Sequence, residues 1–545
     1  MKKFYFLIMA LCCISVYGQE LNSSKMQIEN WGSHFRKIGA GNTIPYYSMN
    51  VEPIGLMNNR IYFTLGMKRT DKLDSLYCYD IDKQEIVASK KNNTGNCYFF
   101  SRSGLKNIHC KTDGDIIRYT LSSINPNTLE EEDTHEIMGL ERDKKADFDW
   151  YSSMSPDSSK LAVLVGVNEG KSARRDWWII TYDNIEDTYT KRTVSLKISQ
   201  NYYTISSFDI LDNGNILVVT ESHDDEYLYK SKNIDFNINI IQENEGDDNE
   251  MTVIHQDMNM EMLNLKTRCL HDGRIMVGLT QRHKKNKTDY ELHYKLIDGK
   301  NIENSSELMK YEFPDIWLEN QKVSLAKYDN MTIDNILETD NGDIYFTGFP
   351  CKIALGNGIR KSSWGGIYCL QMDKDGTVEK LNYIERMTKG TRSTGYHTLT
   401  GMNMYYDCIK YGNKVYITFN ENVDKIEKND IKASYRQMDK ENYVEAYEIG
   451  SEEMKKYSLT GDKRSELALN TYLGKIDNRF YYTARNQDYG TIVSVDFEKV
   501  KEIDHTKKKV KKTAVQANKN EKTSKTSASS ASNKKSTTRK RTVKK

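Results

Sequence analysis

The chain has 545 residues, with 79 lysines and arginines against 77 aspartates and glutamates, and 38% of it is hydrophobic. This apolar content, the 36 tyrosines and the lack of a Gly-X-Y or heptad period exclude collagen, a coiled coil and a wholly disordered chain. A polytopic membrane protein is excluded as well, because no apolar run of about 18 residues occurs after the N-terminus.

The N-terminus has the pattern of a secretory signal peptide. Two lysines follow the first methionine, an apolar stretch covers residues 4–16, and Gly18 precedes Gln19. A positive start, a short apolar stretch and a small residue before the cut are the features of such peptides. The stretch is too short to span a bilayer comfortably, and neither Cys12 nor Cys13 follows the small residue of a lipoprotein signal. We therefore expect cleavage before Gln19 and export to the periplasm, the cell surface or the extracellular medium.

The middle of the chain repeats one local pattern, in which a turn of Asn, Asp, Gly or Lys precedes a short apolar run. Asn-Gly and Asp-Gly tolerate the positive φ of a tight hairpin turn, and the Ile, Val, Tyr and Phe that follow favour strands. A weaker unit covers Lys111–Ile117. Strong units begin at Asn58, Ser158, Asn213, Asp272, Asn341, Gly412 and Asp477.

The spacing of these units predicts an all-β fold, a β-propeller. Turn, strand, loop, strand and turn is the order of a four-stranded blade, and the later units lie more than about 50 residues apart, which leaves room for long loops. A closed ring buries such strands without leaving long exposed edges. Seven blades are favoured and six to eight are possible. A series of β-sandwiches and a parallel β-helix are the structural alternatives.

One unit has a more specific signature. Residues 155–162 read Ser-Pro-Asp-Ser-Ser-Lys-Leu-Ala, which resembles the Ser-Pro-Asp-Gly-x-x-Leu-Ala signature of TolB-type and WD40-like propeller repeats, with Ser158 in place of the glycine. The other units share only the turn and the strand, and the Gly-His and Trp-Asp pairs of WD40 repeats are absent from the sequence. The resemblance implies a propeller and names no partner.

The C-terminus differs from the rest of the chain in charge and composition. Residues 507–545 contain fifteen basic residues and one acid, a net charge of +14, and the whole chain carries +2, so residues 1–506 carry −12. The other tail residues are mainly Ser, Thr, Ala and Asn, which offer too little apolar surface for a fold. We predict a disordered basic tail that contacts anionic lipid, polysaccharide or nucleic acid without reading a sequence. A tail that only improves solubility is the alternative.

Histidines, acidic residues and cysteines are the residues that could bind a metal or form a disulfide. His223 precedes three acidic residues, a possible hard-cation site, but a solvated hairpin loop is the simpler interpretation. Residues 373–376 begin like a calcium loop and lack its later ligands, so we interpret them as a turn. Cys78 and Cys369 lie in strand-like runs and are expected to be small buried hydrophobes. The spacing of the cysteines in the mature chain fixes no disulfide pairing. These cysteines are residues 78, 97, 110, 269, 351, 369 and 408.

Five further segments are notable for their charged or aromatic residues. Arg174-Arg175, the basic segment 282–287 and the acidic segment 242–250 are read as solvated loops. A short surface helix is predicted within residues 421–442. Trp177-Trp178 could stack on a sugar, but we expect it to belong to the core between blades.

No catalytic, cofactor-binding or metal-binding residue is assigned from the sequence. It lacks Gly-x-Ser-x-Gly, His-Glu-x-x-His, a P-loop and the Asp box of sialidases. The predicted organisation is a signal peptide at 1–18, a lead-in at 19–50, a propeller at 51–503 and a tail at 504–545.

The predicted function is that of an exported, non-enzymatic module that binds a protein or glycan at the cell envelope, with the tail against an anionic surface. Neither sequence-specific nucleic-acid recognition nor a transmembrane segment in the mature chain is expected. Two alternatives stay open. One is a carbohydrate-active enzyme whose channel carboxylates come from different blades, since their pairing depends on distance in space and not on sequence spacing. The other is a tail-driven binder of nucleic acid or a membrane surface.

Overall fold

The computed structural model describes most of the chain between its two ends. The described residues are 22–26, 49–67, 74–92, 96–141, 147–168, 177–225, 234–243, 249–255, 259–286, 289–314, 328–356, 359–386, 388–393, 406–428, 441–450, 454–460, 464–485 and 490–497. The chain divides into two units, Met1–Val500 and Lys501–Lys545. The signal peptide and the basic tail lie outside the described residues, so both stay predictions.

Strands form nearly all of the regular structure in the described residues, as the abundance of β-branched and aromatic residues predicts. The first half are β1 (Asn22–Met26), β2 (Met49–Met57), β3 (Arg60–Met67), β4 (Asp74–Asp80), β5 (Glu85–Asn92), β6 (Asn96–Ser101), β7 (Gly104–Asp113), β8 (Ile116–Ile124), β9 (Glu131–Glu141), β10 (Asp147–Met154), β11 (Lys160–Asn168), β12 (Trp177–Asp183), β13 (Thr188–Val194), β14 (Tyr202–Ile210), β15 (Ile216–His223), β16 (Ile234–Ile241), β17 (Asn249–His255) and β18 (Met260–Cys269).

The second half of the strands begins in the same blade as β18. These are β19 (Arg274–His283), β20 (Tyr290–Asp298), β21 (Met309–Glu312), β22 (Asn330–Met331), β23 (Asn335–Glu338), β24 (Ile344–Gly348), β25 (Pro350–Gly356), β26 (Ile359–Trp364), β27 (Ile367–Met372), β28 (Val378–Ile384), β29 (Thr388–Ser393), β30 (Asp407–Tyr411), β31 (Lys414–Glu421), β32 (Tyr443–Ile449), β33 (Lys455–Ser458), β34 (Ala468–Ile476), β35 (Arg479–Arg485) and β36 (Gly490–Asp496). Helical residues are a 3-10 turn, Ile302–Asn304, and a short helix, α1 (Val423–Lys428). The helix confirms the one predicted within 421–442. No helix in the described part of the chain is long and apolar enough to cross a membrane.

The strands assemble into four-stranded antiparallel sheets, which we number as blades. Blades 1 to 5 are β2–β5, β6–β9, β10–β13, β14–β17 and β18–β21. Blade 6 is β23, β24, β27 and β28, blade 7 is β30–β33, and blade 8 is β34–β36. The N-terminal strand β1 completes blade 8 by pairing with β36, from Asn22 opposite Ser494 to Met26 opposite Gly490.

Eight apolar clusters among the described residues join each blade to the next and close the ring. The cluster between blades 2 and 3, for example, packs Phe99 and Ile108 against Val163. Another joins blade 8 to blade 1, where Leu473 packs against Phe63. The first strands of successive blades also touch, and β34 of blade 8 touches β2 of blade 1. The fold is therefore an eight-bladed β-propeller, which confirms the predicted all-β propeller.

Blade 2 is the blade that the repeat pattern represented only weakly. All seven strong units are turns between the first and second strands of blades 1 and 3 to 8. The weak unit Lys111–Ile117 instead spans the turn between β7 and β8, the second and third strands of blade 2. The first turn of that blade is Arg102-Ser103, and β7 has Lys106 and His109 among its apolar residues. The sequence therefore favoured seven blades where the structure has eight, still within the expected range.

The first turns share a left-handed residue, which explains why Asn, Asp and Gly recur there. Residues with positive φ at this place are Asn59 (60°), Ser158 (61°), Gly214 (86°), Gly273 (85°), Gly342 (87°), Gly412 (60°) and Asp477 (51°). Several of these turns bind the next blade. The Asp157 N–H donates to Asp212 (2.9 Å), and the Asp340 N–H donates to the Gly412 carbonyl (3.2 Å). The turn residues therefore shape the hairpins and also help to align neighbouring blades.

The ring has two faces of different construction. The turn face carries the turns between first and second strands and between third and fourth strands. The loop face carries the connections between second and third strands and those from each blade to the next. Blade 6 extends beyond the loop face, because β24 continues into β25 and β26 continues into β27. Together β22, β25, β26 and β29 form a further four-stranded sheet, the blade 6 extension.

Candidate functional site

Asp209, Asp334 and Asp407 lie on innermost strands or immediately before one, and Asp209 bridges three blades. Asp209 on β14 accepts hydrogen bonds from Ser153 of blade 3 (3.0 Å) and from Thr267 of blade 5 (3.0 Å). Burial raises the pKa of Asp209, although these hydrogen bonds and the charges of Arg268 and Lys266 act in the opposite direction.

The other two carboxylates lie at the loop-face ends of adjacent innermost strands. Asp334 immediately precedes β23, and Asp407 begins β30. Burial raises the pKa of each carboxyl to about 6. Hydrogen bonds from Thr332 and Tyr406 oppose this shift at Asp334. Asp407 accepts a hydrogen bond from the backbone N–H of Tyr472 in blade 8 (2.5 Å). Both carboxyls are therefore protonated in weak acid and mainly ionised at neutral pH.

We call the surface formed by the innermost strands, with Asp209, Asp334 and Asp407, the axial wall. The chemistry available to it follows from these contacts. A carboxyl with a pKa near 6 can donate a proton to a bound substrate, and glycosidases pair such an acid with a second carboxylate about 5–9.5 Å away. Here hydroxyl or backbone N–H groups of the wall hold each carboxyl, and the shifts of Asp334 and Asp407 do not arise from one another. No group of three His, Cys, Asp or Glu side chains in the described ranges could hold a metal ion. The wall is thus built mainly to join blades, with two weak acids at its loop-face end.

A second polar cluster, on the loop face of blade 4, escaped the sequence analysis. Asp235 accepts from Ser199 (2.7 Å) and Gln200 (2.8 Å), and its other oxygen lies 2.8 Å from Nδ1 of His255. Burial acts to raise the pKa of Asp235, but these hydrogen bonds outweigh it and lower the pKa. The Ser199 hydroxyl bonds to the carboxylate and not to the imidazole, so the cluster is not a serine–histidine relay.

The same strand shows what this cluster does. Asn237 and Asn239 alternate with Asp235 along β16 and are fully buried. Asn239 accepts from the Lys197 N–H (2.9 Å) and donates to its carbonyl (3.1 Å), while Asn237 accepts from the Ser199 N–H (3.1 Å). The three side chains thus hold the connection between blades 3 and 4 as a partner strand would. The only sequence signal was polar residues at every second position of an apolar strand.

The residues considered as metal ligands do not form a site in the described part of the chain. His223 is buried, its Nδ1 lies 2.6 Å from the Asp225 carbonyl, and its ring stacks on Tyr202. Residue 226 lies outside the described residues. Asp373 accepts from the N–H groups of Asp375 (2.9 Å) and Thr377 (2.7 Å), which confirms that this segment is a turn between β27 and β28.

The predicted core residues are confirmed. Trp177 is 1% exposed and donates to the Tyr203 hydroxyl (2.8 Å), and Trp178 packs against the cluster between blades 2 and 3. Cys78 and Cys369 are fully buried, and burial raises the pKa of both thiols. The described cysteines are all free thiols.

The interpretation of segment 282–287 as a solvated loop is wrong for its first residue. Arg282 belongs to β19, its side chain is 7% exposed, and it pairs with Glu261 (2.5 Å), because the strand continues further than the run of basic residues suggested. In the acidic segment, Glu243 pairs with Lys160 (2.9 Å) and Glu250 accepts from the Ile302 N–H (2.9 Å), so both ends are anchored. Residues 244–248 and Arg174-Arg175 lie outside the described residues.

Comparisons with known proteins return propellers among solved structures. No protein-family model and no curated protein matches the chain. The structurally similar chains include the WD40 domain of SCAP from fission yeast, with 10% identity, 82% of this chain and 97% of that chain covered, and a TM-score of 0.34. The propeller domain of the Trilobed protease from Pyrococcus furiosus has 10% identity, coverage of 77% and 99%, and a TM-score of 0.34.

A third similar structure belongs to a larger protein. Prolyl oligopeptidase B from Galerina marginata has 9% identity and a TM-score of 0.38, and the match covers 81% of this chain and 56% of that chain. Similarity at these levels says nothing about activity. The class of this chain, a β-propeller, rests on its own strand order and ring closure.

Proposed function

We propose that this protein is an exported β-propeller that binds a protein or glycan partner at the cell envelope through its loop face. The observation that supports this proposal best is the blade 6 extension. Blade 6 already has the four strands that the ring requires, so β25, β26 and β29 are not needed to complete a blade, although Met331 of β22 packs in the joint between blades 5 and 6. A sheet that extends from one face of a rigid ring is instead suited to contact another molecule.

The rigidity of the ring supports the same proposal. Backbone carbonyls accept hydrogen bonds across blades: the Arg102 N–H donates to the Asn184 carbonyl (2.7 Å), and the side-chain amide of Asn215 donates to the Gly299 carbonyl (2.8 Å). A frame held in this way presents its loops in fixed positions, which lowers the entropy lost on binding. The predicted signal peptide supports export, and the predicted basic tail supports a contact with an anionic surface.

The test is capture of envelope components by mature protein, residues 19–545, at low and moderate salt. Lys352 is exposed on the loop face and Lys374 is exposed on the turn face, so K352E and K374E form a matched pair. We expect capture that persists at moderate salt, weakens with K352E and is unchanged with K374E. Equal capture by both variants, or capture that moderate salt abolishes, would overturn recognition by the loop face.

A carbohydrate-active enzyme is the second candidate, and the raised pKa values of Asp334 and Asp407 favour it. An acid of this kind at the end of the axial wall could protonate a glycosidic oxygen. Glycan hydrolysis by the mature protein that D334N or D407N removes, while K374E leaves it unchanged, would replace the binding function by this one. Activity that both Asp variants retain would contradict a role for these carboxyls.

A further inference from the structure

The outer strand of blade 8 comes from the opposite end of the chain to the other three strands of that blade. β1 pairs with β36 from Asn22 opposite Ser494 to Met26 opposite Gly490, so it covers five of the seven residues of β36. Residues 27–48 separate β1 from β2, whereas three to nine residues separate the outer strand from the next inner strand in blades 1 to 4 and 7. β1 is therefore a terminal strand on a long connection, and it can separate from β36 while the other strands keep their pairing.

The sequence of β1 is poorly suited to a strand. It reads Asn-Ser-Ser-Lys-Met, with one apolar residue in five. The outer strands of blades 4 and 6, β17 and β28, have three and four apolar residues in seven. Asn and Lys are depleted in strands, in which β-branched and aromatic residues are enriched. The residues of β1 therefore provide little side-chain stabilisation for the pairing with β36.

The strand that β1 covers is apolar on both faces. Val493 is fully buried in the cluster between blades 7 and 8, and Ile492 is 2% exposed in the cluster between blades 8 and 1. Directly opposite them β1 has Ser23 and Ser24. Paired residues of an antiparallel ladder share a face. A serine thus occupies each of two positions where an apolar residue would extend a cluster.

A small cavity lies beside the same part of β36. Its volume is about 30 Å³, and its lining includes Tyr79 of blade 1 and Ile492 and Ser494 of β36. Ile492 and Ser494 share one face of β36, because alternate residues of a strand do so. Position 24 of β1 belongs to this face, since it is paired with Ile492. The edge of β36 therefore has space beside it for a side chain larger than that of serine.

We propose that the outer edge of β36 binds an extended segment of a partner protein, which replaces β1 and places apolar residues opposite Ile492 and Val493. Extended peptides add strands to sheet edges in this way, with affinity from backbone hydrogen bonds and specificity from alternate side chains. The edge of β36 lies on the rim of blade 8. This inference therefore goes beyond the loop-face function proposed above and does not depend on it.

Exchange requires the partner segment to compete with a strand on the same chain. A tethered strand has a local concentration of about a millimolar, so a partner at about 10 µM must pair with β36 about 100-fold more tightly. A favourable cross-strand pair contributes a factor of about 1.4–5, and four pairs at about threefold each approach that requirement. The β1 strand of a second copy has the same sequence and gains nothing by exchange, which favours a segment of another protein.

The experiment measures the fluorescence anisotropy of labelled peptides mixed with mature protein, residues 19–545, at moderate salt. Peptide 1 has the sequence of residues 19–28 of this chain. Peptide 2 is the same peptide with N22T, S23V and S24I, which supplies β-branched residues opposite Ile492 and Val493. A scrambled form of peptide 2 controls for binding by composition alone.

Two disulfide variants separate exchange at β36 from binding elsewhere. The locked variant is K25C with T491C, which are directly paired in β1 and β36 and so have Cα atoms within the span of a disulfide. The matched control is T181C with T190C, which are paired in β12 and β13 and lock the outer strand of blade 3 in the same way. Each variant is measured oxidised and reduced, and thermal unfolding establishes that the ring is intact.

We expect peptide 2 to bind wild type at least tenfold more tightly than peptide 1 or the scrambled peptide. The oxidised locked variant should lose at least tenfold in affinity for peptide 2 and regain it on reduction, while the oxidised control binds as wild type does. Equal affinity for peptides 1 and 2, no binding of peptide 2 by wild type, or unchanged binding by the oxidised locked variant would overturn the proposal. A covalent dimer from an oxidised mixture of the single variants K25C and T491C would identify a second copy as the occupant, and a foreign partner would then be wrong.

Discussion

Ser158 provides the sharpest test of the physical account of the repeats. It occupies the first turn of blade 3 with φ of 61°, where the signature of propeller repeats has glycine. Its N–H donates to the Ser155 carbonyl (2.8 Å), and its own carbonyl accepts from Asn184 (2.7 Å). These two bonds use only the backbone of Ser158, so a change to glycine can keep both while it removes the Cβ atom.

The magnitude follows from two opposing terms. A left-handed conformation costs a non-glycine residue roughly 1–2 kcal/mol, which S158G would recover. Glycine also has more conformational freedom in the unfolded chain, which destabilises the fold by about 0.4–1 kcal/mol. The net expectation is that S158G stabilises the propeller by about 0.5–1 kcal/mol. The same two terms with opposite signs predict that G273S destabilises it by a similar amount.

The assay is urea unfolding followed by tryptophan fluorescence, with the free energy of unfolding compared at constant m-value. Gly273 is the matched control, because it has φ of 85° in the equivalent turn of blade 5 and a Cβ atom there would meet nothing within 4 Å. Gly214 separates strain from crowding, since a Cβ atom there would lie 2.2 Å from Glu243. G214S should therefore be more damaging than G273S. A destabilised S158G, or a neutral G273S, would refute the assignment of these turns to backbone strain.

Three further outcomes are expected. L473A should destabilise the propeller by about 2–4 kcal/mol, because it leaves a cavity in the joint between blades 8 and 1. In the same urea assay I185A, at an exposed position, should change the free energy of unfolding by no more than about 0.5 kcal/mol. Equal effects would contradict closure through this cluster. G166A should destabilise the propeller by about 1–3 kcal/mol, since the added Cβ would lie 2.7 Å from the Trp177 ring. An unchanged near-ultraviolet circular dichroism spectrum would argue against that packing. Burial raises the pKa of Asp407 to about 6, above its ordinary value of 3.8, so the folded state binds this proton more tightly. The resulting stabilisation is complete below about pH 4 and is lost as the pH rises through 6. Wild type should therefore lose stability relative to D407N between pH 4.5 and pH 7, measured as the difference between their urea midpoints. A difference that does not change with pH would contradict the buried carboxyl.

The features that the sequence predicted are those set by neighbouring residues. A turn such as Asn341-Gly342 specifies its own left-handed backbone, and the apolar run after it specifies a strand that is buried on both sides. Seven of eight blades were found through that pattern alone. Blade 2 was found only through its second turn, because the strand after Arg102-Ser103 alternates polar and apolar residues. The number of blades therefore depended on a local irregularity.

The axial carboxylates and the polar cluster of blade 4 depend on contacts between distant parts of the chain. Asp209 meets Ser153 and Thr267, each more than 50 residues away. No spacing rule predicts such a contact, since the number of residues per blade varies with the loops. Polar residues at alternate positions of β16 were the one local signal of this kind, because a buried Asn in an apolar strand requires a hydrogen-bond partner from elsewhere.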